Sequence, residues 1–390
     1  MQYVWLILLA SLSAALRADE TKQPPAANPP PQSGIVDANH LLGLPPVPIP
    51  PDNSQTPAKI ALGDKLFHDK RFSIDGTVSC SNCHDNKKGF TDNLPVSVGN
   101  KSLTGTRNAP TLINAAFYKS QFWDGREPSL EAQSKGPFVN PVEGGLANHQ
   151  PILDIVRADA EYQKAFKDVF GVADQKVTMD HVSKAIASFE RTLVAGNSPF
   201  DRFYFKGDKA ALNEQQRRGF KLFLEQGRCV SCHIIEQNQA LFTDSQFHNI
   251  GIGINAVQQG ITPLVQAFLD AKSKGGDVDK IVLTDKKSSE LGRFAVSDAV
   301  ADIGAFKTPT LRNIALTAPY MHDGSLKTLK EVVVHYNNGG VTPAGAKVND
   351  FLSGGIRPLN LTDAQIDDLV AFMQALTSAQ YAQPTAAAAQ

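Results

Sequence analysis

Cys80-Ser-Asn-Cys83-His84 and Cys229-Val-Ser-Cys232-His233 are the two stretches that decide how this sequence reads. In each, two thiols lie one helical turn apart and a histidine follows directly. At that spacing each thiol can add to one vinyl group of a porphyrin, and the imidazole comes to lie under the iron as its proximal ligand. All four cysteines of the chain fall in these motifs, so none is left for a disulfide. A redox dithiol and a Cys₄ zinc site are the other uses of C-x-x-C. Zinc ribbons place their pairs about 15–20 residues apart, whereas these pairs lie about 150 apart. The motifs therefore predict two covalently bound c-type haems.

Working outward, the chain repeats itself. Leu62-Gly-Asp-Lys-Leu-Phe67 precedes the first motif and Arg218-Gly-Phe-Lys-Leu-Phe223 the second. Phe90-Thr-Asp92 and Phe242-Thr-Asp244 follow them. Ala109-Pro-Thr-Leu112 then matches Thr308-Pro-Thr-Leu311, and Asp124-Gly125 matches Asp323-Gly324. Two copies of one haem-binding module are the simplest reading. The second copy is longer by an insertion at roughly 255–289, rich in Lys, Asp, Gly and Ser.

Periodicity predicts an all-α fold of two cytochrome c-like domains with long irregular loops. Val182, Ile186, Phe189 and Leu193 share a helical spacing and close the first module. Thr362 and Gln365 form a capping-box pattern before a helix presenting Ile366, Leu369, Val370, Met373 and Leu376. Asn213 with Gln216 starts another, leading to Phe220 and Phe223. Runs with strand periodicity are scarce. The expected division is 59–205 for the first haem domain and 206–380 for the second, with a disordered tail at 381–390.

Composition narrows the function. The chain has 390 residues, 42% of them hydrophobic, enough for two ordinary cores. The formal net charge is −1 with no basic run, which argues against a nucleic-acid partner. Residues 1–18 read as a secretory signal peptide, with an apolar stretch from Val4 to Leu9 and small residues after it. Left uncleaved, it would be a membrane anchor. Export to the periplasm agrees with the haem motifs, because c-type haem is attached outside the cytoplasm. Residues 19–58, with Pro29-Pro30-Pro31 and several prolines between Pro45 and Pro51, read as an extended tether.

The residues beyond each motif resemble the bacterial di-haem cytochrome c peroxidase and MauG family, closer to its MauG-like branch. The resemblance rests on Thr106-Arg-Asn-Ala-Pro-Thr-Leu112, Gln121-Phe-Trp-Asp-Gly-Arg126, Thr308-Pro-Thr-Leu-Arg-Asn313 and Ala318-Pro-Tyr-Met-His-Asp-Gly324. It runs from about Lys59 to Ala379. It implies a haem-dependent enzyme that reacts with hydrogen peroxide at the first haem, whose iron is held by His84, while His233 holds the second. It further implies Trp123 as the bridge between the haems, Glu143 as the distal carboxylate, and Gln133 and Pro137 as pocket residues. Asn108, Thr317 and Pro319 match positions that hold a calcium ion between the domains. Physically, cleaving peroxide requires a group that moves a proton between its oxygens. A carboxyl in an apolar pocket has its pKa raised and can do this near neutral pH.

Two departures matter. Peroxidase members carry a histidine in a Ser-Ile-Gly-His-like segment that blocks the first iron at rest. Here the segment is Ser97-Val-Gly-Asn100, and asparagine is a poor iron ligand. Those members also cap the second haem with methionine, and Tyr336 stands in that place, as in MauG-like members. A phenolate is a hard, anionic ligand that favours oxidised iron. Met321 and His335 are rival ligands, and His322 aligns with Trp123. His40, His68, His149, His181 and His248 read as surface or hydrogen-bonded histidines, with His248 near enough to the second motif to be checked. Three functions follow: a MauG-like oxidase acting on an aromatic residue of a partner protein; a cytochrome c peroxidase fed by a small cytochrome or copper protein; and a di-haem electron carrier.

Overall fold

The computed structural model describes residues 36–341, 345 and 347–381. The expected signal segment, the start of the tether and the tail from 382 onward lie outside the described residues. Two helical bodies repeat one arrangement, with a third, smaller cluster between them.

In the first body the helix Pro57–Phe67 starts where Thr56 accepts a hydrogen bond from the Lys59 N–H, with Pro57 at its first position. It crosses the helix Met179–Glu190 at Gly63. A Cβ on Gly63 would lie 1.9 Å from the Ala185 carbonyl oxygen. In the second body the helix Glu214–Leu224, opened by the predicted Asn213–Gln216 capping box, crosses Asp363–Gln374 in the same way. There a Cβ on Gly219 would lie 1.9 Å from the Asp368 carbonyl oxygen. The glycine of the repeated sequence is thus the residue that lets two helix backbones touch.

The duplication extends into the loops. Phe90 and Phe242 have φ of 56° and 53°, Asn114 and Asn313 have 65° and 61°, and Phe122 and Met321 have 65° and 77°. Asparagine enters this region readily, but Phe and Met seldom do. Finding them paired by position shows that both copies impose the same turns. The bridges Gln121–Glu127 and Tyr320–Leu326 match as well.

Leu66, Phe72, Ile113, Ile152, Tyr162, Phe166, Val182 and Ile186 build the first core. Phe200, Phe223, Phe242, Ile366, Leu369 and Phe372 build the second. Phe200 meets Phe242 and Phe372 edge-to-face, with centroids at 5.2 and 5.7 Å. The helix Pro199–Lys206 therefore packs with the second body, although the division expected at 205/206 placed it in the first. The strand content is one antiparallel pair among the described residues, Phe247–His248 with Phe306–Lys307. No helix among the described residues is long and apolar enough to cross a membrane.

The tether reading fails for residues 36–56. Leu44 and Asn53 are buried. The Gly43 carbonyl accepts from Arg312 Nη2 at 2.6 Å and from the Ala240 N–H at 2.9 Å, and the Pro48 carbonyl accepts from Arg191 Nε at 3.2 Å. Proline removes a donor but leaves the carbonyls free, and buried arginines take them. Arg312 is itself anchored by Asp201 through two contacts of 2.9 Å.

The insertion also departs from its polar appearance. Ile254, Phe268, Val282, Leu283, Leu291 and Phe294 form a core of their own. It is fastened to the first body: Thr106 Oγ1 donates to the Val282 carbonyl at 2.7 Å, and Arg107 reaches Ser289 through Nε and Nη2 at 3.0 Å each. Arg293 Nη1 donates to the Asp124 and Gly125 carbonyls, both at 3.0 Å. A segment of the second copy thus roofs the first.

Candidate active site

Each C-x-x-C-H motif is a short turn whose histidine is oriented by its own loop. His84 follows the helix Cys80–Cys83, and its Nδ1 lies 3.1 Å from the Phe90 carbonyl oxygen. His233 Nδ1 lies 2.8 Å from the carbonyl of Phe242, the residue equivalent to Phe90. A carbonyl can only accept, so Nδ1 carries the proton and Nε2 keeps its lone pair. Burial lowers the pKa of both imidazoles, which keeps them neutral. A neutral histidine with Nδ1–H fixed and Nε2 free is the donor state an iron requires. The residues present therefore fit a haem at both motifs.

Two cavities adjoin these histidines. The second, of about 570 Å³, is bordered by Cys229, Cys232, His233 and Tyr336. The first, narrower at about 130 Å³, is bordered by Cys83 and His84. The first also gathers Trp123, Gln133, Pro137 and Glu143 on its walls. Gln133 ends the helix Leu130–Gln133, begun by Ser129, and Pro137 lies in the helix Gly136–Val139. Glu143 follows on the next loop, where Asn140 Nδ2 donates to its Oε1 at 3.1 Å. Burial pushes the Glu143 carboxyl up to about 7; Arg126 opposes the shift and Asp279 adds to it.

Asn100 is absent from the cavity wall. Its Nδ2 donates to the Pro141 and Glu143 carbonyls at 2.9 Å each, and its backbone N–H also reaches the Glu143 carbonyl. The residue standing where peroxidase members carry a blocking histidine is thus a clamp on the loop that carries Glu143.

Trp123 borders both cavities. Its Nε1 donates to the Asn108 carbonyl at 2.9 Å, and its own carbonyl accepts from the Lys307 N–H at 2.7 Å. Tyr118 and Lys307 border both cavities too, with Lys307 Nζ 3.9 Å from the centre of the Tyr118 ring.

In the second cavity Tyr336 projects from the helix Leu329–Asn337, opened by a Thr328–Glu331 capping box. Burial raises its phenol pKa. His335, a rival from the sequence, lies off the cavity wall with Nε2 2.8 Å from the Ile250 carbonyl. Met321 borders the cavity. So does His322, stacked on Phe306 at 3.6 Å with Nε2 3.0 Å from Glu290 Oε2. His248 also borders it, with Nε2 2.7 Å from Asp244 Oδ2. Cys232, Asp244 and His248 are grouped closely enough for a metal, but Cys232 belongs to the haem motif. Asn108, Thr317 and Pro319 all border the second cavity. Beside them Asn93 Nδ2 ties the first body to the Leu316 and Ala318 carbonyls at 3.2 and 2.8 Å.

Among the wall residues that escaped the sequence reading are Arg126, Leu283, Tyr118 and Lys307. Arg126 closes the quoted Trp123-Asp124-Gly125-Arg126 run, so the signal was in view. Leu283 comes from the insertion, which nothing in the sequence attached to the first module.

Residues 57–210 match the di-haem cytochrome c peroxidase family, and residues 216–377 match the cytochrome c family. The chain is 38% identical over 341 residues to the cytochrome-c peroxidase IdrP1 of Denitromonas iodatirespirans, covering 86% of this chain and 85% of that protein. It is 34% identical over 330 residues to the methylamine utilization protein MauG of Methylorubrum extorquens, covering 85% and 81%. The solved structure of a MauG-like protein associated with microbial copper homeostasis superposes with a TM-score of 0.69 at 30% identity, covering 88% of this chain and 96% of that one. Two cytochrome c domains imply two haems. The chain belongs to the di-haem cytochrome c peroxidase and MauG family, haem-dependent oxidoreductases that act with peroxide.

Proposed function

We propose that this protein reacts with hydrogen peroxide at the first haem and, like MauG, spends the oxidising equivalents on an aromatic residue of a partner protein. When bound, the first haem supplies the iron that takes peroxide and receives its oxidising equivalents. Cys80 and Cys83 would attach it and His84 would hold its iron; Cys229, Cys232, His233 and Tyr336 would do the same for the second.

The observation that carries this reading is Asn100. Its amide is engaged by the Pro141 and Glu143 carbonyls and lies off the cavity wall, so this position offers no group to block the first iron at rest. Glu143 takes a proton from the incoming peroxide and returns it to the departing oxygen. A carboxyl with a pKa near the working pH can do both. Gln133 and Pro137 shape the wall beside it. Trp123 borders both cavities, which supports a role in passing charge between the haems. Tyr336 suits a second haem that stays oxidised. We also infer one calcium ion, held near the body junction through Asn108, Thr317 and Pro319, and export to the periplasm, where c-type haem is attached.

A second reading is a peroxidase that draws electrons from a small cytochrome or copper protein; the similarity to a cytochrome-c peroxidase favours it. One experiment separates the two. Stoichiometric peroxide is added to the fully oxidised protein and the near-infrared spectrum is followed. A long-lived band shared by the two haems supports the MauG-like reading. No reaction until the second haem is reduced supports the peroxidase.

A further inference from the structure

We propose that Arg126 is an anion-binding residue of the first cavity, and that its free Nη2 holds the hydroperoxide anion after Glu143 has taken the proton. This rests on reading the first haem as the peroxide site.

The side chain of Arg126 is 6% exposed and borders the cavity with His84, Gln133 and Glu143. Its guanidinium is held on three sides. Nη1 donates to Asp124 Oδ1 and Oδ2 at 3.0 and 3.1 Å. Nε lies 2.6 Å from Asp279 Oδ1, a carboxylate brought by the insertion. The plane lies over the Phe122 ring at 3.5 Å. Nε and Nη2 are both buried without a hydrogen-bond partner; Nε has the Asp279 carboxylate beside it, and Nη2 is the donor left to match. A guanidinium has five N–H donors in a fixed fork, and a buried donor left unmatched is costly.

Asp124 is shared, since Arg107 Nη1 also contacts it at 2.5 Å. Asp124 and Asp279 are the carboxylates in contact with the two guanidiniums, while burial holds Glu143 toward its neutral form. The proton step balances without another reactant: HOOH and the Glu143 carboxylate give HOO⁻ and the Glu143 carboxylic acid. The negative charge that appears on the peroxide oxygen is what Nη2–H stabilises, and the fork is already in place before the charge forms. Asp279 is then a positioning residue: by pairing with Nε it fixes the fork and leaves Nη2 unmatched.

A carboxylate of the haem itself is the other anion of the same chemistry, and the test separates the two. Fluoride, a small anion that binds ferric haem, is titrated into the oxidised holoprotein and followed by visible absorption, with neutral imidazole in parallel. Arg126→Gln should weaken fluoride binding roughly ten- to a hundredfold and leave imidazole binding within about threefold. Fluoride binding changed by less than about threefold overturns the proposal. A wild type that binds neither ligand overturns the open-site reading on which it rests. Should the variant not fold, a crystal structure of the wild type with fluoride decides: an anion within hydrogen-bond distance of Nη2 is expected, and a haem carboxylate on Nη2 refutes it.

Discussion

Glu143→Gln isolates the proton-transfer role assigned to this side chain. The substitution keeps shape and volume, and the retained Oε1 can still accept from Asn140 Nδ2, now at 3.1 Å. What it removes is the ionisable oxygen. A positioned general acid–base group is worth about 10²–10⁴-fold, or about 3–5 kcal/mol of barrier. The rate constant for peroxide with the oxidised protein should fall by that factor, read by rapid mixing and the Soret band. The pH profile supplies a second readout. Burial pushes the carboxyl up to about 7, and only the deprotonated form takes the proton. The wild-type rate should therefore be low in acid, half-maximal near pH 7 and level above it. At two units below the pKa only about 1% of the carboxyl is ionised, so the rate there is about a hundredth of the plateau. In the variant this rise disappears. A loss under about tenfold, or the same rise in the variant, would show that Glu143 is not the proton carrier.

Two further substitutions test the frame that holds the site. Arg312→Met leaves Asp201 fully buried without its cation, and should cost about 3–5 kcal/mol in denaturant unfolding of the holoprotein; a loss below about 1 kcal/mol would mean that water relieves the carboxylate. Gly219→Ala sets a methyl 1.9 Å from the Asp368 carbonyl oxygen, so the two helices must part. The overpacking cost of about 1–3 kcal/mol should exceed the gain of about 1 kcal/mol in helix propensity, and a stabilised variant would contradict the tight crossing.

Much of this was legible in the sequence because it is local. The C-x-x-C-H motifs, the repeated glycine-containing runs and the capping residues Asn213 and Thr362 act over a few residues, and each sits in the element it foretold. The turns at Phe90 and Phe242 were visible only as repeated letters, yet their carbonyls fix Nδ1 of His84 and His233. What escaped is long-range. The proline-rich stretch lacks periodicity, and its fixed place depends on carbonyls taken by Arg191 and Arg312 far along the chain. The insertion spreads its apolar residues over short helices, so its polar surface dominated the reading. Arg126 lay inside a quoted segment, but its meaning depends on Asp279, which only folding brings to it.

Electron paramagnetic resonance of the fully oxidised wild type at neutral pH tests most directly whether the two haems are unequal. An open iron at His84 beside a second iron capped by Tyr336 predicts one high-spin and one low-spin ferric signal of equal weight. Two low-spin signals would contradict it, because the first iron would then carry a sixth ligand that Asn100, tied to Pro141 and Glu143, does not supply.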